Sequence, residues 1–355
     1  MKTIISKSYS IVFGEKSYEN LYEIIKENNY SKIFILTDTN TSEYCLPHFL
    51  AHFATEVPFE IIEIEAGEVH KNIETCFEVW NALEELEGDR KSLLLTLGGG
   101  TVSDLGGFVA STYKRGIHSI HIPTTLLAMV DASVGGKTGV NLGSLKNLIG
   151  TFSLPKMVLI DVSYLQTLPQ NEMQSGLAEM LKHGLIADMD YWNELKDLSN
   201  LTTDDLERLI HRSIEIKNNI VLQDYEEQHL RKGLNFGHTL GHAIESLFLE
   251  DPEKEKLLHG FAIAQGMILE AYLSYKKELI SLTFYEEIKE IIRSIFDKVD
   301  LSDNDVQTIF SLLTHDKKNA FGEVNFTLLK NRGEFTYNEL VTNDLISEAI
   351  HDYLK

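Results

Sequence analysis

The chain has 355 residues, 43% of them hydrophobic and 24% charged, and its 32 Lys and Arg against 54 Asp and Glu give a formal net charge of −22. The length predicts about two domains with sizeable cores, and the acidic balance argues against nucleic acid or an anionic membrane as a partner. No apolar run reaches the roughly 18 residues that span a bilayer, and Met1-Lys2-Thr3 opens into strand-like sequence rather than a signal peptide, so we expect a cytoplasmic protein without a membrane partner.

The first half of the chain alternates strands and helices with short loops between them. Residues 2–13 predict one or two short strands. The elements predicted next are a helix over 17–28, a strand over 32–37, a helix near 41–54, a strand over 59–64, a helix over 73–86, a strand over 92–97, a helix over 102–112 and a strand over 117–122. This alternation is typical of a mostly parallel sheet covered by helices on both faces.

The pattern changes near residue 165. From there helical periodicity dominates, and only 323–329 offers a convincing strand. We therefore expect an α/β, Rossmann-like N-terminal domain over residues 1–165 and a mainly α-helical C-terminal domain over residues 166–355. Cys45 and Cys76 match no metal or redox spacing and are expected to be reduced core thiols.

Two glycine-rich loops follow predicted strands. Gly98-Gly99-Gly100 comes directly after a strand and opens a helix, where backbone N–H groups and the helix dipole bind phosphate. Ser103 stands in place of the third glycine of the dinucleotide fingerprint, so nucleotide binding and a simple tight turn both stay open. The loop at 131–139 ends in the Gly-Lys-Thr of a P-loop, but Asp131 replaces its first glycine, which argues against a nucleotide triphosphatase.

Cations cluster near these loops. Lys137 lies between glycines, Lys146 follows it, and Arg115 precedes the next strand. Each alone is typical of an exposed surface cation. Their position on the carboxyl side of the strands, where α/β sheets bind ligands, favours an anionic small molecule as the partner.

A histidine pair marks the second half. His238 and His242 stand four residues apart on one predicted helix face, but Thr239 occupies the position where a zinc protease needs a glutamate base. His259 precedes another long helix, and Glu179 lies on an amphipathic helix upstream. Two His and one Glu from separate helices form the ligand set of an open catalytic zinc site. Their spacing along the chain does not by itself show that they meet in space. An isolated histidine pair is more often structural.

In combination these motifs resemble the 3-dehydroquinate synthase family, from about Asp38 to Leu329. The segments that carry the resemblance, in the family's order, are Gly98-Gly99-Gly100-x3-Asp104, Arg115-Gly116, Pro123-Thr124-Thr125-Leu126-Leu127-Ala128, Asp131-x-Ser133-Val134-Gly135-Gly136-Lys137, Lys146-Asn147-x2-Gly150, Thr167-Leu168-Pro169, Gly176-x-Ala178-Glu179-x2-Lys182, Asn235-x-Gly237-His238-Thr239-x-Gly241-His242-Ala243-Ile244-Glu245, His259-Gly260 and Asp316-Lys317-Lys318-Asn319. Individual loops are shared with other sugar-phosphate cyclases and with glycerol-dehydrogenase-like enzymes.

The resemblance implies a lyase of the shikimate pathway to chorismate and the aromatic amino acids. The reaction would convert 3-deoxy-D-arabino-heptulosonate 7-phosphate to 3-dehydroquinate and phosphate through transient oxidation by NAD+, phosphate elimination, re-reduction and intramolecular aldol closure. It also implies bound NAD+, one divalent metal ion (Zn2+ or Co2+) and a homodimer. A related sugar-phosphate cyclase or a glycerol-dehydrogenase-like polyol dehydrogenase is the alternative.

The resemblance further implies roles for single residues. The implied metal ligands are Glu179, His238 and His259. The implied dinucleotide contacts are Asp38, Asn40, Glu68, Lys71, Gly99, Gly100, Thr101, Asp104, Thr124, Thr125, Asp131, Lys137, Lys146, Thr167 and Leu168. The implied substrate contacts are Arg115, Lys146, Asn147, Lys182, Lys217, Arg231, Asn235, His242 and one of Lys317 or Lys318, with Lys317 as our choice. The expected catalytic residues are His242, Lys137, Lys182 and Arg231.

The glycine loop departs from the family's usual pattern at two positions. Thr101 replaces a valine and Ser103 replaces a glycine. Because serine is small, we expect that the pyrophosphate of the cofactor can still approach the loop closely. Affinity for the cofactor is the property that we expect the two changes to affect.

Overall fold

Runs of buried, mostly apolar residues recur through the first half of the chain, and several of them form strands in the computed structural model, which describes residues 1–143, 145–197, 202–315 and 323–355. The strands of this half are β1 (Ile4–Ile5), β2 (Ser10–Phe13), β3 (Ile33–Asp38), β4 (Phe59–Ile64), β5 (Leu93–Gly98), β6 (His118–Pro123), β7 (Lys137–Leu142), β8 (Leu145–Phe152) and β9 (Met157–Ile160). Seven of them form one sheet in the order β1-β2-β9-β6-β5-β3-β4. Only β1 pairs antiparallel in this sheet, so the expected mostly parallel α/β architecture is confirmed.

Among the described residues, five α-helices lie between successive strands of this half. They are α1 (Lys16–Asn28), α2 (Thr39–Tyr44), α3 (Leu46–His52), α4 (Ile73–Glu85) and α5 (Gly100–Thr112). The single helix expected near 41–54 is two helices that meet at Cys45, because Pro47 in the first turn of α3 has no N–H with which to continue the hydrogen bonds of α2. Both cysteines are buried free thiols, as expected.

Three strands of this half were not predicted. β7 and β8 form a separate antiparallel hairpin, and several of their apolar side chains are exposed, so no simple alternating pattern marks them. Gly139 and Gly150 face each other across the hairpin, where a Cβ on Gly139 would lie 2.8 Å from the Ile149 carbonyl oxygen. The third strand, β9, is a fully buried apolar run of only four residues.

The second half is mainly helical, as expected. Its helices are α6 (Gln170–Ala187), α7 (Met189–Leu195), α8 (Thr203–Gln223), α9 (His238–Glu250), α10 (His259–Lys276), α11 (Leu282–Ile295), α12 (Asp303–His315) and α13 (Asn343–Leu354). Nearly every residue of α10 from Gly260 to Ser274 is buried, so this helix forms the centre of the bundle. Within the described ranges, no helix is long and apolar enough to cross a membrane.

A second strand joins the expected β10 (Glu323–Leu329) in this half. It is β11 (Phe335–Thr342), which pairs antiparallel with β10. The expectation of a single strand was wrong, because a register shift between Phe326 and Leu328 and a positive φ of 58° at Asn338 interrupt the alternation.

By backbone contacts the chain divides into two units. One consists of Met1–Pro169 with Thr202–Asn218, and the other of Gln170–Leu201 with Asn219–Lys355. The first part of α8 therefore belongs to the unit that contains the large sheet.

Candidate active site

Three of the expected dinucleotide contacts, Asp38, Gly99 and Thr124, lie along one edge of the large sheet, where its parallel strands end. β3 ends at Asp38, β5 ends at Gly98 and is followed by Gly99, and β6 ends at Pro123 and is followed by Thr124. β4 lies on one side of β3 and β5 on the other, so the strand order reverses between β3 and β5. Open α/β sheets bind dinucleotides at such a switch point, outside the carboxyl ends of the strands.

Glycines shape the start of α5 at this edge. A Cβ on Gly99 would lie 3.0 Å from Thr125 Cγ2, and one on Gly106 would overlap the Thr96 side chain and lie 3.0 Å from Leu36 Cδ2. In the described part of the chain no side chain caps α5, so its first N–H groups are available to an anion. Gly106 provides the close helix-to-sheet packing that the third glycine of a dinucleotide fingerprint provides. The loop therefore fits a pyrophosphate.

A buried lysine joins α5 to the loop after β4. Lys71 is 4% exposed, and its Nζ donates to Asp104 Oδ2 at 2.5 Å and to Asn147 Oδ1 at 2.6 Å. Burial raises the pKa of Asp104, and the Lys71 ammonium opposes that shift. Three residues expected at the ligand site are thus held in one hydrogen-bonded group.

Asn141, which was not predicted, links this group to Glu68. Asn141 Nδ2 donates to Glu68 Oε1 at 2.9 Å, and Asn141 Oδ1 accepts from the Asn147 backbone N–H at 2.9 Å. Lys146 Nζ lies 3.6 Å from Glu68 Oε1. Asparagine in a strand is unfavourable, and that local conflict is the signal that could have identified Asn141.

The two departures in the glycine loop have different surroundings. Thr101 Oγ1 donates to Glu68 Oε2 at 3.2 Å, a contact that valine does not make. Ser103 is 2% exposed, and its Oγ has no hydrogen-bond partner among the described residues. Thr101 thus contacts an expected cofactor residue, whereas Ser103 faces the interior.

Asp131 lies in a single π-helical turn at Ala128–Ala132, a geometry that is frequent at functional sites. Its carbonyl oxygen and Oδ1 accept from Lys217 Nζ at 2.6 and 2.5 Å. Lys217 is buried, and it lies on the part of α8 that belongs to the sheet-containing unit.

The other expected cofactor and substrate contacts of this unit differ in exposure. Those that are exposed are Asn40, Arg115, Lys137, Asn147 and Thr167, while Gly100, Thr125 and Leu168 are half-buried.

Three helices of the second unit bring the expected metal ligands together. His238 is the first residue of α9, His259 is the first residue of α10, and Glu179 lies within α6. Glu179 Oε1 is 3.5 Å from His238 Nε2 and 3.7 Å from His259 Nε2. The exposed His242, one turn along α9, has a ring nitrogen within 4.8 Å of those of the other two histidines.

The geometry of this cluster fits a divalent metal. His259 Nδ1 lies 3.2 Å from Glu245 Oε2, and His238 Nδ1 lies 3.1 Å from the Phe236 carbonyl oxygen, so both Nε2 lone pairs can face Glu179. Glu179 Oε1 is buried and has no hydrogen-bond partner among the described residues. Ligand atoms of a tetrahedral zinc ion are about 3.3 Å apart, close to the observed spacing.

Electrostatics also favour ligation. Lys182 Nζ donates to Glu179 Oε2, and both side chains are buried. Burial disfavours the Glu179 carboxylate, but Lys182 and the two histidines outweigh it and hold its pKa well below its usual range. Burial and Lys182 hold the pKa of His238 well below its usual range. Burial disfavours charge on His259, but Glu245 and Glu179 raise its pKa to about 9, so a metal ion bound at neutral pH would have to displace a proton from this ring.

Arg231 lies in a loop that a buried aspartate organises. Asp224 accepts backbone N–H groups from this loop, including that of Arg231 at 2.9 Å. Arg231 is 2% exposed, and its Nη1 donates to the Tyr225 carbonyl at 2.7 Å. Asn235 Nδ2 donates to Glu227 Oε1 at 2.7 Å. The expected Lys317 contact, like the alternative lysine beside it, lies outside the described residues.

Two buried carboxylates beside the histidines were not predicted. Glu245 stands seven residues after His238, two helical turns along, and that spacing could have identified it. Glu270 accepts hydrogen bonds from backbone N–H groups at the start of α9, and no pattern of side chains in the sequence marks such a contact.

The chain is similar to known proteins over nearly its whole length. Residues 61–175 match the family model of 3-dehydroquinate synthase N-terminal, and residues 176–319 match that of 3-dehydroquinate synthase C-terminal. A 3-dehydroquinate synthase of Parabacteroides distasonis is 43% identical over 97% of both chains. The structure is similar to 2-deoxy-scyllo-inosose synthase complexed with carbaglucose-6-phosphate, NAD+ and Co2+, with a TM-score of 0.84, 26% identity and 99% of each chain covered. It is also similar to 2-epi-5-epi-valiolone synthase from Streptomyces hygroscopicus subsp. jinggangensis with NAD+ and Zn2+ bound, with a TM-score of 0.81 and 26% identity over 99% of this chain and 98% of that one.

Proposed function

The chain belongs to the 3-dehydroquinate synthase family, and we propose that it converts 3-deoxy-D-arabino-heptulosonate 7-phosphate to 3-dehydroquinate and phosphate in the shikimate pathway. The observation that carries the proposal is the convergence of Glu179, His238 and His259 from three helices, with the proton-transfer candidate His242 beside them. The glycine-opened helix at the switch point of the sheet supplies the matching dinucleotide site.

Two cofactors follow for this chain, NAD+ and Zn2+ or Co2+, which the two cyclases of similar structure also hold. We assign the metal to Glu179, His238 and His259. When bound, NAD+ supplies hydride transfer and the metal ion polarises a substrate oxygen. We assign NAD+ to residues 1–165, at the contacts named from the sequence, and metal and substrate binding mainly to residues 166–355.

The chain's own residues supply charge, orientation and proton transfer. His242 is exposed at the histidine cluster, so its imidazole is placed to take or give a proton at a substrate hydroxyl. Lys182 and Arg231 are buried cations that would bind the substrate's carboxylate and phosphate oxygens and stabilise negative charge in the transition state. Lys137, Lys146 and the remaining substrate contacts would fix its orientation.

The test is phosphate release from the heptulosonate phosphate with NAD+, before and after chelation and after addition of Zn2+. Release that stops with the chelator and returns with Zn2+, without net NADH, is expected. Net NADH would indicate a polyol dehydrogenase. No release from folded protein loaded with Zn2+ and NAD+ would favour a related cyclase, to be identified with a panel of sugar phosphates.

We also propose a homodimer. The hairpin of β7 and β8 carries four large apolar side chains that are about half exposed: Leu142, Leu145, Leu148 and Phe152. An apolar surface on an edge strand is typical of an interface, and a second copy of the chain is the partner proposed. Light scattering should give twice the chain mass for the wild type, and Leu148→Asp should reduce the measured mass to that of one chain. A monomeric wild type would refute this proposal.

We also propose a cytoplasmic location, because the two cysteines are buried free thiols.

A further inference from the structure

The N-terminus of α9 is capped by a residue from another helix. α9 begins after Gly237, whose φ is 80°, and its own N-cap position offers no side chain. Glu270 on α10 is fully buried; its Oε2 accepts from Gly237 N at 2.6 Å, and its Oε1 accepts from Leu240 N at 3.1 Å. A carboxylate placed here satisfies N–H groups that a helix start leaves unpaired, and it complements the helix dipole.

One peptide bond connects this cap to an expected metal ligand. The Phe236–Gly237 peptide donates its N–H to Glu270, while its carbonyl oxygen lies 3.1 Å from His238 Nδ1. Hydrogen bonds at the two ends of one peptide unit polarise each other. Rotation of that peptide plane would weaken both contacts and release the imidazole from its orientation.

The packing of α9 on α10 leaves little room for the cap to move. His259, Ile263, Gly266 and Glu270 follow one another at spacings of four, three and four residues, so they share one face of α10. A Cβ on Gly241 of α9 would lie 2.9 Å from Ile263 Cδ1, and one on Gly266 would lie 2.7 Å from Gly241 N. The face that carries Glu270 is therefore in direct backbone contact with α9.

We propose that Glu270 is a positioning residue for the metal centre, because it fixes the peptide that orients His238 and sets its tautomer. The inference rests on the proposed function, since it takes His238 and His259 to be metal ligands. Glu245 contacts His259 directly, whereas Glu270 acts on His238 through a peptide unit. Each histidine ligand thus has a buried carboxylate behind it, an arrangement that raises ligand basicity and restricts ring rotation.

The test compares Glu270→Ala and Glu270→Gln with Gln265→Ala. Glutamine keeps the size and one acceptor oxygen of Glu270 but carries no charge, so it separates geometry from charge. Gln265 is a matched control: it is a buried polar side chain on α10 that bonds to Phe261, Asp297 and Tyr353. Zn2+ affinity is measured by competition with a chromophoric chelator, and stability by urea unfolding of the metal-free protein.

Glu270→Ala should weaken Zn2+ binding by about 10- to 100-fold, and Glu270→Gln should recover part of that loss. Gln265→Ala should lose stability but keep the wild-type Zn2+ affinity. Unchanged affinity in Glu270→Ala, or equal weakening in Gln265→Ala, would overturn the inference. If Glu270→Ala does not fold, Glu270→Gln decides: wild-type Zn2+ affinity with an unchanged Co2+ absorption spectrum would overturn it. A wild type that binds neither ion would instead refute the proposed metal centre.

Discussion

Gly266→Ala should disturb the contact between α9 and α10 that sets the separation of two expected metal ligands. A Cβ on Gly266 would overlap the Gly237 carbonyl oxygen and lie 2.7 Å from Gly241 N. Non-bonded heavy atoms rest 3.5–4.0 Å apart, so relief of the overlap with the Gly237 oxygen requires the helices to separate by roughly 1.6–2 Å. Overpacking of this kind costs about 1–3 kcal/mol. A shift of that size between His238 and His259 also exceeds the roughly 0.2 Å tolerance of metal–ligand distances.

Two measurements on Gly266→Ala follow from this geometry. The free energy of unfolding of the metal-free protein, from urea titration, should fall by about 1–3 kcal/mol. Zn2+ affinity should fall by about 10-fold or more, measured against a chromophoric chelator. Gly100→Ala is the control: its Cβ would meet Ala132 Cβ at 3.4 Å, an ordinary contact, so stability and Zn2+ affinity should stay near those of the wild type.

Two outcomes would refute the reasoning about Gly266. A loss of less than about 0.5 kcal/mol would show that α9 and α10 adjust without strain. A clear loss of stability with wild-type Zn2+ affinity would show that helix separation does not reach the histidines.

Two further predictions concern the sheet-containing unit. Lys71→Met removes the partner of the partly buried Asp104 side chain, and leaving that acceptor unpaired should cost about 1–3 kcal/mol in urea unfolding. The variant should also weaken NAD+ binding in calorimetry, and a loss of stability below about 0.5 kcal/mol would contradict the prediction. Burial lowers the pKa of His121 from 6.5 to about 4. As the pH falls, the unfolded chain therefore binds a proton at this histidine before the folded chain does, and the free energy of unfolding should fall by up to roughly 3 kcal/mol between pH 6.5 and 4. Urea unfolding of His121→Gln at each pH should show a weaker dependence of stability on pH, whereas His351→Gln, at an exposed position, should leave that dependence as in the wild type. An unchanged pH dependence in His121→Gln would refute this assignment.

Local pattern determined the architecture of the first half. Apolar runs such as Leu93–Gly98 followed by glycine predict a buried parallel strand and a helix start, because burial on both faces requires continuous apolar sequence. The same logic explains what was missed. β7, β8 and β11 have exposed positions, bulges or positive-φ residues that interrupt the alternation, so their pairing depends on the partner strand more than on their own residues.

The sequence by itself determined which residues are expected to carry the chemistry, since the motifs around Gly99, Glu179 and His238 contain them in the family's order. Only the tertiary structure decided that Glu179, His238 and His259 meet, because their separation along the chain is closed by helix packing that no local signal encodes. The same holds for Glu270 and Asn141. Both act on groups distant in sequence, and Glu270 bonds to backbone N–H groups that every residue except proline possesses, so its role exists only once α9 and α10 are packed together.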